Sequence, residues 1–215
     1  LGHNDLQSLP EGFTACVSGD LILYKNSLRS LPLSFSTVQI GGNLSLGNNE
    51  LEFLPYNFAS TSIGGALGLK CNRLQTLPTN VGEWVVGSFL DLESNQLAQL
   101  PESFGGITLG GNLDLSHNRL WQLPRSFGDL VVPGKVDLRC NRITALPPTM
   151  GRIKIDGDLD LAGISFEDPE SGETKTMDRK NQLDGLDELP PGFGSRIGGS
   201  VVGIRSALLL KYRAT

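Results

Sequence analysis

Apolar residues in this chain follow two tempos. Over residues 113–127 they first alternate, at Leu113 and Leu115, and then fall at longer steps, at Leu120, Leu123 and Phe127. Alternation of one residue in and one out is the pattern of a short, half-buried strand. Asn118 interrupts it and marks a turn. Leu123-Pro124 opens a return path, since proline fixes φ and needs no donor. The text before the next cycle, such as "TVQIGG" at 37–42, "STSIGG" at 60–65 and "GITLGG" at 106–111, is β-branched and alternating. It predicts a second short strand. The paired glycines predict a tight turn back into the first strand. One cycle therefore predicts strand, turn, return, strand, turn, with no helix.

The cycle repeats. Pro32, Pro55, Pro78, Pro101, Pro124 and Pro147 stand 23 residues apart, after a first step of 22 from Pro10. Asn4, Asn26, Asn49, Asn72, Asn95, Asn118 and Asn141 keep the same beat. A fixed period of this size predicts a solenoid in which each unit is one coil. Equal positions then pile into columns. The Asn column is expected to satisfy backbone groups left bare at the turn. A column of Phe13, Phe35, Phe58, Phe104, Phe127 and Phe193, with Val81 and Met150 substituting, is expected to stack as an apolar spine.

The stretch "LDLSHNRLWQLP" at 113–124 resembles the leucine-rich repeat signature position by position, and the whole unit resembles bacterial and protist repeats of the "IGG-x-L-x-L" kind. The resemblance implies a mostly β, right-handed leucine-rich-repeat solenoid. Many such repeats carry a helix on the return side. A strand there instead predicts parallel strands on both faces and a weakly curved rod. About eight to nine coils over residues 1–215 would give a length of roughly 40 Å. The resemblance also implies a non-catalytic protein–protein recognition module that works through the sheet face. Two other roles follow from the same fold: the substrate-recruiting part of a larger enzyme, such as a ligase or kinase, or a structural assembly module.

The beat breaks once. After "GDLDLAG" at 157–163, Ile164 stands where Asn is due, and a polar insertion is expected over 164–183, with Asp184 resuming the Asn phase. Residues 201–215 leave the motif and are expected to cap the last coil. The chain begins inside its first motif, as a fragment of a longer protein would.

Composition adds limits. A formal net charge of −5 is not the balance of a nucleic-acid-binding face. The apolar runs are too short to span a bilayer. Cys71 and Cys140 fall three coils apart, about 14 Å, too far for a bridge. That spacing points to thiols and a cytoplasmic compartment. His3 and His117 share a phase five coils apart and cannot form one site. No cofactor is expected.

The residues that vary on the first sheet's outer face are the candidate partner-binding set. Asp91, Asp114, Asp137 and Asp160 form one stripe. Tyr24, Lys70, Glu93 and Arg139 form the next. His117, Arg119 and Trp121 follow around the turn. Stacked aspartates repel unless compensated, and Arg119, Arg139 and Arg142 are placed to compensate them. The pattern suits a protein partner with basic and apolar groups. The alternatives are a soluble stripe with no partner and a calcium site on the stacked carboxylates, since hard cations want several oxygens.

Overall fold

The computed structural model describes residues 1–162, 181–183 and 186–204, with the backbone alone of 165–167 and 174–176. Each cycle of sequence folds into one coil. The alternating leucines form two-residue strands, and eight of them, from Leu21–Ile22 to Leu159–Asp160 and Val201–Val202, pair in parallel as a front sheet. Register advances by one repeat per step: Leu44 lies beside Leu67, Leu67 beside Leu90 and Leu90 beside Leu113. The inward leucines of these strands are buried throughout.

The β-branched segments form the back. Cys16–Val17, Gln39–Ile40, Ser62–Ile63, Val85–Val86 and Thr108–Leu109 make a five-stranded sheet, and Val131–Val132 pairs separately with Lys154–Ile155. The gap between the two sets has a chemical cause. Gly41, Gly64, Gly87, Gly110 and Asp156 each donate a backbone N–H to the preceding coil. Pro133 holds that position in the coil between and has no N–H to give.

After most Leu-Pro pairs the chain makes a single 3-10 turn, as at Glu102–Gly106 and Arg125–Asp129, before it enters the back strand. These turns are too short to widen the back, so the two faces advance together. The result is a weakly curved solenoid with parallel strands on both faces. Crossovers between parallel strands of one sheet are right-handed.

The interior is built from columns. Phe13 stacks on Phe35 at 5.9 Å and Phe35 on Phe58 at 6.2 Å. Val81 is too small to continue the stack, and the ring of Trp84 leans in instead, 5.1 Å from Phe58. Stacking resumes between Phe104 and Phe127 at 6.0 Å. The Asn column forms the expected ladder. Asn95 donates to the carbonyls of Leu69 and Leu92 at 3.1 Å and accepts the Leu74 N–H at 3.0 Å, and Asn26, Asn49, Asn72, Asn118 and Asn141 repeat this pattern.

At the insertion the structure corrects the sequence reading. Asn181 fills the ladder place: it accepts the Ile143 N–H at 3.0 Å and donates to Leu138 and Leu161 at 3.0 and 2.8 Å. Asp184, expected there, lies outside the described residues. Within 164–183, Ser165–Glu167 pairs antiparallel with Thr174–Thr176. Val201–Val202, expected in the cap, is instead a front strand, the last among the described residues, and 205–215 lie outside them.

Candidate functional site

On the front face, three outward columns stand side by side. The first runs Asp20, Asn43, Ala66, Phe89 and Asn112; the second Ile22, Ser45, Gly68, Asp91 and Asp114; the third Tyr24, Gly47, Lys70, Glu93 and Ser116. The pairing register sets Gly68 beside Asp91 and Asp91 beside Asp114.

The aspartate column is partly structural. Each carboxylate folds back on its own strand and accepts the N–H two residues on: Asp91 from Glu93 at 3.1 Å, Asp114 from Ser116 at 2.9 Å, Asp137 from Arg139 at 3.1 Å and Asp160 from Ala162 at 2.9 Å. Short acidic side chains cap local backbone donors in this way.

The candidate residues then fall into separate groups. Asp137 is only 2% exposed and is clamped by Arg139, whose Nε and Nη2 donate to its two oxygens at 2.9 and 2.7 Å. The same guanidinium reaches Asp160 at 3.5 Å. This end of the stripe is neutralised. Asp91, Glu93 and Asp114 form the second group, with one carboxylate oxygen from each lying within 4.8 Å of the others. Among the described residues none of the three makes an ion pair, and Arg119 and Arg142 do not reach them. Burial pushes the Asp91 carboxyl up from 3.8 to about 6; the Glu93 N–H bond pulls it down, and the Asp114 charge raises it further. Three oxygens are fewer than the about six to eight that calcium takes, so the group is a negative patch before it is an ion site.

Tyr24, Lys70 and Asp91 form the third group. They border a hollow of about 570 Å3 over the second and third coils, floored by Ser45, Gly47, Ala66 and Gly68. His117, Arg119 and Trp121 join none of these groups. His117 occupies the turn position that has positive φ in each coil from His3 to Cys140, at 55°. Arg119 and Trp121 lie beyond it and are exposed, Trp121 at 45%.

Two features escaped the sequence reading. One is the hollow, which needs neighbouring columns laid side by side, although the run of small residues at 45, 66 and 68 was its signal. The other is a second capping ladder. Asp20, Asn43, Asn112 and Asp158, each just after a turn glycine, accept backbone N–H groups from Asn43, Ala66, Lys135 and Ser200 of the next coil at 2.6–2.9 Å.

A model of the Leucine Rich Repeat family matches residues 112–130. That segment is one coil of a register whose Asn, Leu and Gly hydrogen bonds recur from coil to coil. The chain has the leucine-rich repeat fold. No curated protein matches it in sequence. Among solved structures, this chain is similar to YopM, a leucine-rich effector protein from Yersinia pestis, at 21% identity and a TM-score of 0.52, over 93% of this chain and 55% of that one. It is also similar to a leucine-rich repeat protein of Leptospira interrogans, at 19% identity and a TM-score of 0.41, over 86% of this chain and 54% of that one. The chain thus spans little more than half the length of either protein, and the YopM likeness speaks for the fold alone. Among the described residues no helix is long and apolar enough to cross a membrane.

Proposed function

We propose that the protein is a recognition module that binds another protein through its front sheet. One observation carries this reading. The buried columns keep the repeat from coil to coil, while the front columns abandon it where a hollow and an unpaired acidic patch adjoin, at residues 22–24, 45–47, 66–70 and 89–93. An extended solenoid face of this kind offers contact area. Recruitment for a catalytic domain elsewhere in a longer chain would be the same act of recognition.

Partner capture by the intact solenoid tests the proposal. A front variant, Tyr24→Ala with Glu93→Gln, is expected to lose the partner. A back variant, Val85→Ser with Lys154→Gln, is expected to keep it. The opposite pattern would assign binding to the back sheet, as the assembly reading requires.

A further inference from the structure

The front hollow is a gap that the fold does not demand. At Gly64, on the turn, a Cβ would collide with the carbonyl oxygen of Gly41, so glycine is obligatory there. At Gly68 a Cβ would meet nothing nearer than the Leu44 carbonyl oxygen at 3.8 Å, and its backbone is not in the left-handed region. A side chain would therefore fit, yet none is present. Ser45 and Ala66 beside it are also small, and the floor lies open between two taller walls. Ile22, 48% exposed, and Tyr24 form the wall on the amino side; Phe89 and Asp91 form the wall on the carboxy side. Exposed aliphatic and aromatic surface around a gap with ample room for a large side chain is the geometry of an anchor pocket.

The charge at one end narrows the occupant further. Asp91 closes the pocket, and Glu93 and Asp114 lie against it with no ion pair among the described residues. Among the described residues Lys70 is the one cation bordering the hollow, against Asp20 and Asp91 on its border and Glu93 and Asp114 beside Asp91. Like carboxylates held this close favour the arrival of a cation. From Gly68 this patch begins one coil away at Asp91 and reaches two coils away at Asp114, the latter about 10 Å at the spacing of paired strands. Three residues of polyproline II chain, which returns every third side chain to the same face, cover nearly the same length, about 9 Å.

We propose that the hollow anchors a peptide segment in which a large apolar side chain enters over Gly68 and a lysine or arginine about three residues away meets Asp91, Glu93 and Asp114. The inference rests on the front-face reading above and names its partner chemistry.

The test is an amide-resolved titration of the full chain with three short capped peptides, Phe-Ala-Ala-Arg, Phe-Ala-Ala-Glu and Ala-Ala-Ala-Arg. The Phe/Arg peptide is expected to move the amides of Gly47 and Gly68 with a millimolar dissociation constant, and each control to bind about tenfold more weakly. Gly68→Leu, and independently Ser45→Leu, should fill the gap and abolish binding while the melting temperature holds. Asp91→Asn with Glu93→Gln should erase the preference for Arg over Glu. The proposal is overturned if the Phe/Arg peptide leaves Gly47 and Gly68 unmoved up to roughly 20 mM, or if both filled variants bind it as before. A natural partner still captured by Gly68→Leu, yet lost from the Tyr24→Ala, Glu93→Gln variant, would leave the recognition role standing and remove the pocket from it.

Discussion

Asn95 ties two coils together with three buried hydrogen bonds, and no apolar residue of similar size reproduces any of them. Asn95→Ala leaves the Leu74 N–H without a partner inside the solenoid and takes one of two donors from each of the Leu69 and Leu92 carbonyls, which keep Asn72 and Asn118. Unfolding measurements should show a loss of about 1–3 kcal/mol, and an unchanged melting temperature would count against the ladder. The aspartates divide by the same reasoning. Asp137 is buried under Arg139, so Asp137→Ala should cost about 1–2 kcal/mol. Asp114, half-buried and bonded to Ser116, should cost less in the same comparison. Asp91 carries a pH signature. Its folded pKa of about 6 lies above the ordinary 3.8, so the folded state holds the proton more tightly than the unfolded chain. Its stabilising contribution is complete below about pH 4 and fades as pH rises through about 6. Against Asp91→Asn, which retains an acceptor for the Glu93 N–H, the native protein should lose ground in thermal melts across that window; parallel curves would show that Asp91 titrates normally. Alternation in the sequence placed these side chains outward. It could not show that an Asp turns back onto its own strand, because that depends on the N–H two residues later being left unbonded at the strand end.

Elements of two residues hold only because each rests on its neighbour. The turn glycines make this visible, since they bring backbone against backbone between coils. Gly64→Ala should destabilise by about 2 kcal/mol or more, because the clash is with main chain that has nowhere to move. Gly68→Ala, four residues away, should be neutral or stabilising, because a strand glycine is replaced where space is free. Both strands of the coils between Leu21 and Asp160 were legible in the alternation of apolar residues, and so was the absence of a long helix among the described residues, whereas Val201–Val202, read as part of the cap, was not. The break in the back sheet was also written in the sequence, as Pro133 in a glycine column, but it reads as a lost rung only once Gly110 and Asp156 are seen donating on either side. Asn181 was hidden for a different reason. The insertion destroyed the spacing that identified every other ladder residue, and only three-dimensional placement beside Ile143 and Leu161 restores it.

For the molecule as a whole, the period fixed which residues share a column, and columns fixed the two faces. What lay beyond the period was the relation between columns. The hollow arises because small residues in three adjacent columns, at Ser45, Gly47, Ala66 and Gly68, coincide in the same two coils. The split of the acidic stripe arises because Arg139 reaches Asp137 and Asp160 but leaves Asp91, Glu93 and Asp114 to one another. Function on this account belongs to the amino-terminal half of the front sheet. Hydrogen exchange of the solenoid with and without its captured partner tests that most directly. The account predicts slowed exchange in residues 44–48, 67–71 and 90–94, with the back strands at 39–40, 62–63 and 85–86 unchanged. Protection confined to the back strands would contradict it.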